Sequence, residues 1–189
     1  MVRIDIVPLT EDRWPDLVSL FGRRGAAIPG RCWCMYYRRR GIRSADQTKA
    51  ALRALVGRAV APGLLAYEDE TAVGWVSLGP REDYESLSRS PVARPLDDRR
   101  VWSIVCFFVD GQARGCGVAD HLLRGALDYA RSNGATLIEA FPIDKEERVD
   151  NEVAFVGTKR MFDRAGFSEV ARRRPNRPVM RRALRPRKR

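Results

Sequence analysis

Polar and apolar residues alternate over residues 2–7 (VRIDIV), the period of a half-buried strand. Trp14, Leu17, Val18 and Phe21 then recur at the spacing of one helix face. Thr10 or Asp12 can cap that helix, and Pro15 is tolerated in a first turn, where the missing N–H has no helical partner. Ser44-Ala45-Asp46-Gln47 reads as a capping box, and Leu52, Leu55, Val56 and Ala59 continue a second helix until Pro62-Gly63 stops it. Residues 64–68 and 72–79 predict a hairpin around Asp69-Glu70-Thr71. Residues 101–109 (VWSIVCFFV) are the most apolar strand, which places them mid-sheet.

The second half repeats this alternation of periods. Val118, Leu122, Ala126, Tyr129 and Ala130 mark the buried face of a helix that ends at Asn133-Gly134. Residues 136–141 predict a strand closed by Pro142, and an acidic loop follows with Asp144, Glu146, Glu147, Asp150 and Glu152. Residues 153–165 suit a helix ending at Gly166, and residues 167–172 and 177–184 predict two last strands around Pro175-Asn176. Residues 22–43 read as a loop rich in Gly, Arg and aromatics, and residues 80–100 as an irregular stretch of a length that is usually functional or mobile.

The 189 residues suit one domain, expected over 1–184, with a basic tail at 185–189. No run approaches the ~18 apolar residues that cross a bilayer, and the N-terminus lacks the apolar core of an export signal. A membrane protein, a coiled coil and a disordered chain are excluded, and a cytoplasmic location is expected. The formal charge is +11, and residues 172–189 hold ten Lys/Arg and no acid, so the rest is nearly neutral. Such a tail can hold a polyanion by counterion release, but it carries no aromatics for base stacking. A solvated tail is the favoured reading and nucleic acid a less favoured partner. Cys32 and Cys34 form C-x-C rather than C-x-x-C, and the single His121 lies far from them. Neither a zinc site nor a redox pair is indicated, so the four cysteines are expected to be reduced.

The sharpest feature is strand, Gly-rich turn, helix over residues 101–133. A turn that opens a helix presents unpaired N–H groups at the positive end of the helix dipole, an arrangement suited to phosphate. Gly115 and Gly117 allow close approach, and Arg114 can add a charge-assisted hydrogen bond. The turn has no Lys for a Walker A motif, and Gly115-Cys116-Gly117-Val118-Ala119-Asp120 lacks the third glycine of a dinucleotide fingerprint.

Gln112-x-x-Gly115-x-Gly117 after an apolar strand resembles the cofactor motif of the GCN5-related N-acetyltransferase (GNAT) superfamily. The helix ending in Ala165-Gly166-Phe167 is similar to that family's second signature. The resemblance covers roughly residues 2–184, with specific motifs in 101–167. It implies a mixed α+β fold, a mostly antiparallel, splayed sheet of about seven strands flanked by about four helices. It implies acetyl-CoA as co-substrate, held by Phe108, Val109, Gln112, Arg114, Gly115, Cys116, Gly117, Val118 and Ala119. It also implies direct attack of a primary amine on the bound thioester, with a backbone N–H near Val109 polarising the carbonyl. The chain departs from the family where many members carry a proton-donating Tyr, here Phe162, and an Asn, here Phe155. No carboxylate sits within 101–109, so positioning and a relayed water are expected to replace a dedicated acid–base pair.

Acyl transfer needs a neutral amine, so a group must take its proton. Glu139, in the strand after the cofactor helix, can orient a water, and Glu82 is a second candidate. Trp33, Tyr36 and Tyr37 are expected to wall the acceptor pocket, with Glu82, Asp83 and Glu139 attracting a cationic amine. Cys116 is expected to be tolerated rather than nucleophilic, and Trp75 and Trp102 to be core. The acceptor is a small molecule or a peptide amine, and homodimerisation is left open. The competing reading is a non-catalytic module that binds CoA or nucleic acid through the basic C-terminus.

Overall fold

The structure is a computed structural model and describes residues 3–23, 33, 35–38, 44–145 and 154–185. Cys32, Cys34, the acidic residues Glu146, Glu147, Asp150 and Glu152, and all of the expected tail except Arg185 lie outside the described residues.

The described elements are β1 (Ile4–Pro8), α1 (Trp14–Gly22), α2 (Ala45–Arg53), β2 (Gly63–Glu68), β3 (Thr71–Pro80), β4 (Trp102–Val109), α3 (Val118–Ser132), β5 (Leu137–Ala140), α4 (Lys159–Arg164), β6 (Ser168–Arg174) and β7 (Arg177–Ala183). The strands form one seven-stranded sheet in the order β1-β2-β3-β4-β5-β7-β6. All neighbours run antiparallel except β4 and β5. The mixed, mostly antiparallel sheet with four helices matches the expected fold class.

Alternate residues of each strand face opposite sides, so the sheet carries two cores. On one side Val118, Leu122, Ala126 and Ala130 of α3 pack over Leu64, Val76, Ile104 and Ile138, joined by Met161 and Phe162 of α4. On the other, Leu17, Leu20 and Phe21 of α1 and Leu52 of α2 cover Leu65, Trp75, Val105 and Val179. Gly74 lets α3 approach, since a Cβ there would lie 2.9 Å from Val118 Cγ1 and 3.0 Å from Leu122 Cδ1. No helix among the described residues is long and apolar enough to cross a membrane.

Two features of β4 prepare the site. Ser77 pairs with Cys106 and Leu78 with Ile104, which leaves Val105 as an extra residue, a β-bulge. On its other edge β4 pairs with β5 only through Trp102↔Ile138, Ser103↔Glu139 and Ile104↔Ala140. Beyond Ile104 the strands separate, so residues 105–109 border a gap that no strand fills.

Some expectations change. The Ser44/Gln47 capping box forms with both bonds, but α2 ends at Arg53 and short turns lead on to β2. Neither Thr10 nor Asp12 caps α1; the N-cap is Arg13, whose guanidinium reaches the Thr10 hydroxyl and the Pro8 carbonyl. The helix expected over 153–165 is a 3-10 turn at Ala154–Val156 and the short α4, which Thr158 caps by accepting from the Met161 N–H. Gly157, at φ +78°, separates the two where a helix cannot continue.

The basic C-terminal segment is not a solvated tail over its described part. Arg172 pairs with Glu169 at 2.7 Å and Asp144 at 2.6 Å. Arg173 donates to the carbonyls of Val92, Arg94 and Pro95, and Arg182 donates to that of Ala165. These guanidiniums fasten β6 and β7 to neighbouring loops.

Candidate active site

The turn between β4 and α3 is shaped by its own polar groups. Asp110 opens a 3-10 turn at Gly111–Ala113, and its carboxylate accepts the Gln112 N–H at 3.1 Å. Arg23, just past α1, donates to the other Asp110 oxygen at 2.5 Å. That bond from Arg23 holds the Asp110 carboxyl below the usual aspartate range. Gly115 and Gly117 take φ +82° and +79°, the left-handed region where a side chain is strained. Gly117 is the N-cap of α3 and no side chain caps that end. Among the described residues, the N–H groups of Gly115, Cys116, Gly117, Val118 and Ala119 find no backbone or side-chain acceptor. A Cβ at Gly111, Gly115 or Gly117 would meet open space. The turn is therefore an open cradle of free donors at the positive end of a four-turn helix. Arg114, exposed, anchors its Nε on the Val109 carbonyl at 3.1 Å. Cys116 is exposed in the same turn. Val118 turns into the core, and Ala119 packs partly buried against it.

The Asp110 N–H donates to Val73 on the β3 side at 2.9 Å. Because peptide groups alternate along a strand, the Val109 N–H and C=O then face the opposite edge, into the gap. The Arg114 bond to that carbonyl agrees with this orientation. The expected donor near Val109 thus has a suitable direction, a few residues from the anion cradle.

On the α1 face of the sheet, aromatics from several segments gather near β4. Trp33 stacks edge-on against Phe21 with centroids 5.1 Å apart, and Phe21 in turn against Phe108 at the end of β4, again at 5.1 Å. Tyr36, 63% exposed, lies 4.7 Å from Tyr37 and 6.3 Å from Phe155, centroid to centroid. The Tyr37 carbonyl accepts the Ser86 N–H at 3.0 Å, and Arg38 reaches the Tyr84 hydroxyl at 2.9 Å and Asp83 at 3.5 Å. Tyr37 and Arg38 therefore meet the 83–86 segment. Burial pushes the Tyr37 phenol above its ordinary value, and the adjacent Arg177 guanidinium pulls it back only in part. The phenol stays protonated through the neutral range.

The expected carboxylates fare differently. Glu139 is fully buried, and Arg81, Arg181 and Ser103 donate to its two oxygens, the last two at 3.2 Å. Burial raises its carboxyl above the usual range and the two guanidiniums oppose that. With its oxygens engaged and no surface exposed, Glu139 does not offer the open carboxylate expected of a water-orienting base. It clasps the 81–100 segment to the sheet, together with the 2.5 Å Arg181–Asp97 pair. Asp83 is partnered by Arg38, and Glu82 alone of the three is exposed without a partner among the described residues. Phe162 is fully buried between Phe107 and Phe167, at 6.2 and 5.0 Å, where a ring serves packing.

Three residues of this region carry parts that the sequence reading did not give them: Phe21 was read as a helix face, Phe155 as the place of an Asn and Arg177 as part of a basic run. Phe21 joins the loop aromatics to β4, Phe155 faces Tyr36, and Arg177 stands behind Tyr37 and donates to the Phe141 carbonyl at 2.9 Å. Arg177 looked like one more member of a basic run, and only the pairing of β5 with β7 brings it to the gap.

The profile described as "Acetyltransferase (GNAT) family" matches residues 31–167. Among solved structures, the polyamine N-acetyltransferase of Drosophila melanogaster is 14% identical, with 96% of this chain and 100% of that one covered, at a TM-score of 0.60. An N-acetyltransferase from Staphylococcus aureus Mu50 is 12% identical over 97% and 99%, at 0.57. A GCN5-related N-acetyltransferase from Kribbella flavida is 18% identical over 96% and 98%, at 0.55. At these identities the likeness is one of fold. No curated protein matches the chain by sequence.

Proposed function

Because the chain belongs to the GNAT family of acetyltransferases, we propose that it transfers the acetyl group of acetyl-CoA to a primary amine by direct attack in a ternary complex. The observation that carries this reading is the open turn at the start of α3, where five consecutive N–H groups have no acceptor among the described residues and two glycines are left-handed. Its chemistry fits a pyrophosphate: a Cβ at Gly115 or Gly117 would meet open space among the described residues, and Arg114 stands beside the turn.

The residues divide the work by position. The N–H groups of Gly115 to Ala119 would hold the pyrophosphate, with Gln112 and Arg114 at the rim. Phe108 and Val109 would run beside the pantetheine arm, and the Val109 N–H would polarise the thioester carbonyl as charge develops on its oxygen. Trp33, Tyr36 and Tyr37 would wall the acceptor side and exclude water. Glu139 being engaged, the proton lost by the attacking amine would leave through water, with Glu82 the exposed carboxylate nearest to that role. Attack forms the amide bond, the thioester C–S bond breaks, and the electron pair leaves on sulfur. Holding both reactants in one gap would supply most of the acceleration.

The test is CoA thiol release from acetyl-CoA with a panel of amines, with the N-acetyl product identified by mass. Release that depends on an amine supports transfer. Tight binding of acetyl-CoA with no acetylated product from amine or peptide libraries would favour the non-catalytic module instead.

A further inference from the structure

The charge around the gap bears on the acceptor's chemistry, and the argument rests on the acetyl-transfer reading above. Of the three carboxylates expected to draw a cationic amine, two are already paired, and Glu82 alone is without a partner among the described residues. Glu139 is held by Arg81 and Arg181, Asp83 by Arg38, Asp97 by Arg181 and Asp144 by Arg172. Arg177 is the converse case. It forms no ion pair among the described residues, although its Nη2 donates to the Phe141 carbonyl and its guanidinium lies against the Tyr37 hydroxyl. Its Nε is buried without an acceptor.

The position of this charge matters. Phe141 is the first residue beyond the last β4–β5 pair, Ile104↔Ala140, so the guanidinium stands where the strands part. It lies on the same face as Val179 and Phe141, the side of the aromatic wall rather than that of α3. A guanidinium has five donors in a planar fork suited to a carboxylate, and two neutral contacts leave that capacity unfilled. A buried polar atom with no partner in a native fold calls for an unseen one.

We propose that the acceptor amine carries a carboxylate within a few bonds of the reacting nitrogen, and that Arg177 receives it, with the Tyr37 hydroxyl beside it. The acceptor is then of the amino-acid class. A polyamine, which would bring like charge against Arg177, is disfavoured.

The test compares acceptors that differ in the carboxylate alone: tyrosine against tyrosinamide, and lysine against lysinamide, with tyramine and cadaverine as fully decarboxylated partners. The amides' amine is less basic and so more of it is in the reactive neutral form, which works against the acids, so a preference for the acids reports the anion. The expected result is a kcat/KM at least ~10-fold higher for the acids, a preference lost in Arg177→Gln and largely kept in Arg177→Lys. Melting curves establish that each variant is folded, and if Arg177→Gln is not, the wild-type ratios and Arg177→Lys decide. Equal or better use of the amides, or a preference that survives in folded Arg177→Gln, overturns the proposal. If acetyl-CoA binds but only carboxylate-free amines are acetylated, this proposal fails and acetyl transfer stands. If acetyl-CoA does not bind, acetyl transfer itself fails and this proposal with it.

Discussion

Ser103 of β4 and Glu139 of β5 lie opposite each other in the one parallel pair of the sheet, and the Ser103 hydroxyl donates to Glu139 Oε1 at 3.2 Å. Arg81 donates to the same oxygen and Arg181 to the other. The carboxylate thus balances two guanidiniums inside the protein. Glu139→Gln is expected to lower stability by about 3 kcal/mol, because it leaves Arg81 without a counter-charge and Arg181 with Asp97 alone. The turnover of the folded protein should change little. Denaturant unfolding and kcat, measured on the same preparation, separate the roles. An unchanged midpoint with a 100-fold loss of kcat would make Glu139 a catalytic base.

Gly117→Glu should abolish acetyl-CoA binding while the fold persists. The new Cβ would point into open space, so nothing is displaced, and the backbone strain at φ +79° costs about 1 kcal/mol. Its carboxylate would stand where the proposed pyrophosphate site lies. Gly117→Ala carries the strain without the charge and should lose far less affinity. Calorimetric titration of both variants checks the difference.

Asp110 links stability of the cofactor turn to acid. Arg23 holds its folded pKa below the ordinary 3.8, so its contribution is complete above that value and disappears as pH falls through the folded value. In Asp110→Asn, the stability deficit should be constant from pH 7 to about 5 and should shrink below about pH 4. Urea unfolding of wild type and variant across this range is the measurement. A deficit that does not shrink in acid would show that the Arg23–Asp110 pair is not its source.

Trp33→Ala should weaken use of the acceptor by ~10-fold with little effect on acetyl-CoA affinity, through lost positioning. Among the described ring contacts Trp33 reaches β4 through Phe21, and Phe21→Leu should therefore produce part of the same effect. The readout is kcat/KM for the acceptor beside a calorimetric affinity for acetyl-CoA.

The elements that were legible in the sequence are those specified by local pattern. VWSIVCFFV gave β4, the Gln112–Gly117 turn gave the cradle, and Ser44-x-x-Gln47 gave the start of α2, because each rests on side chains within one turn or strand. What was not legible depends on pairing distant strands. Residue 139 reads as a strand carboxylate until β4 and β7 bring Ser103 and Arg181 beside it. Arg177 reads as part of a basic run until β7 lies along β5. The two last strands are legible, but the partners of their arginines are not, because charge density carries no information about acceptors such as the carbonyls of Val92 and Pro95.

The central claim is that acetyl-CoA lies along β4 with its pyrophosphate at the start of α3. Titrating acetyl-CoA into the isotope-labelled protein and following its backbone amide resonances tests this most directly. The account predicts saturable shifts concentrated at Val109 and at Gly115 to Ala119, on the N–H groups that lack a partner in the turn. Saturable binding that leaves those amides unmoved, or no binding at all, would contradict it.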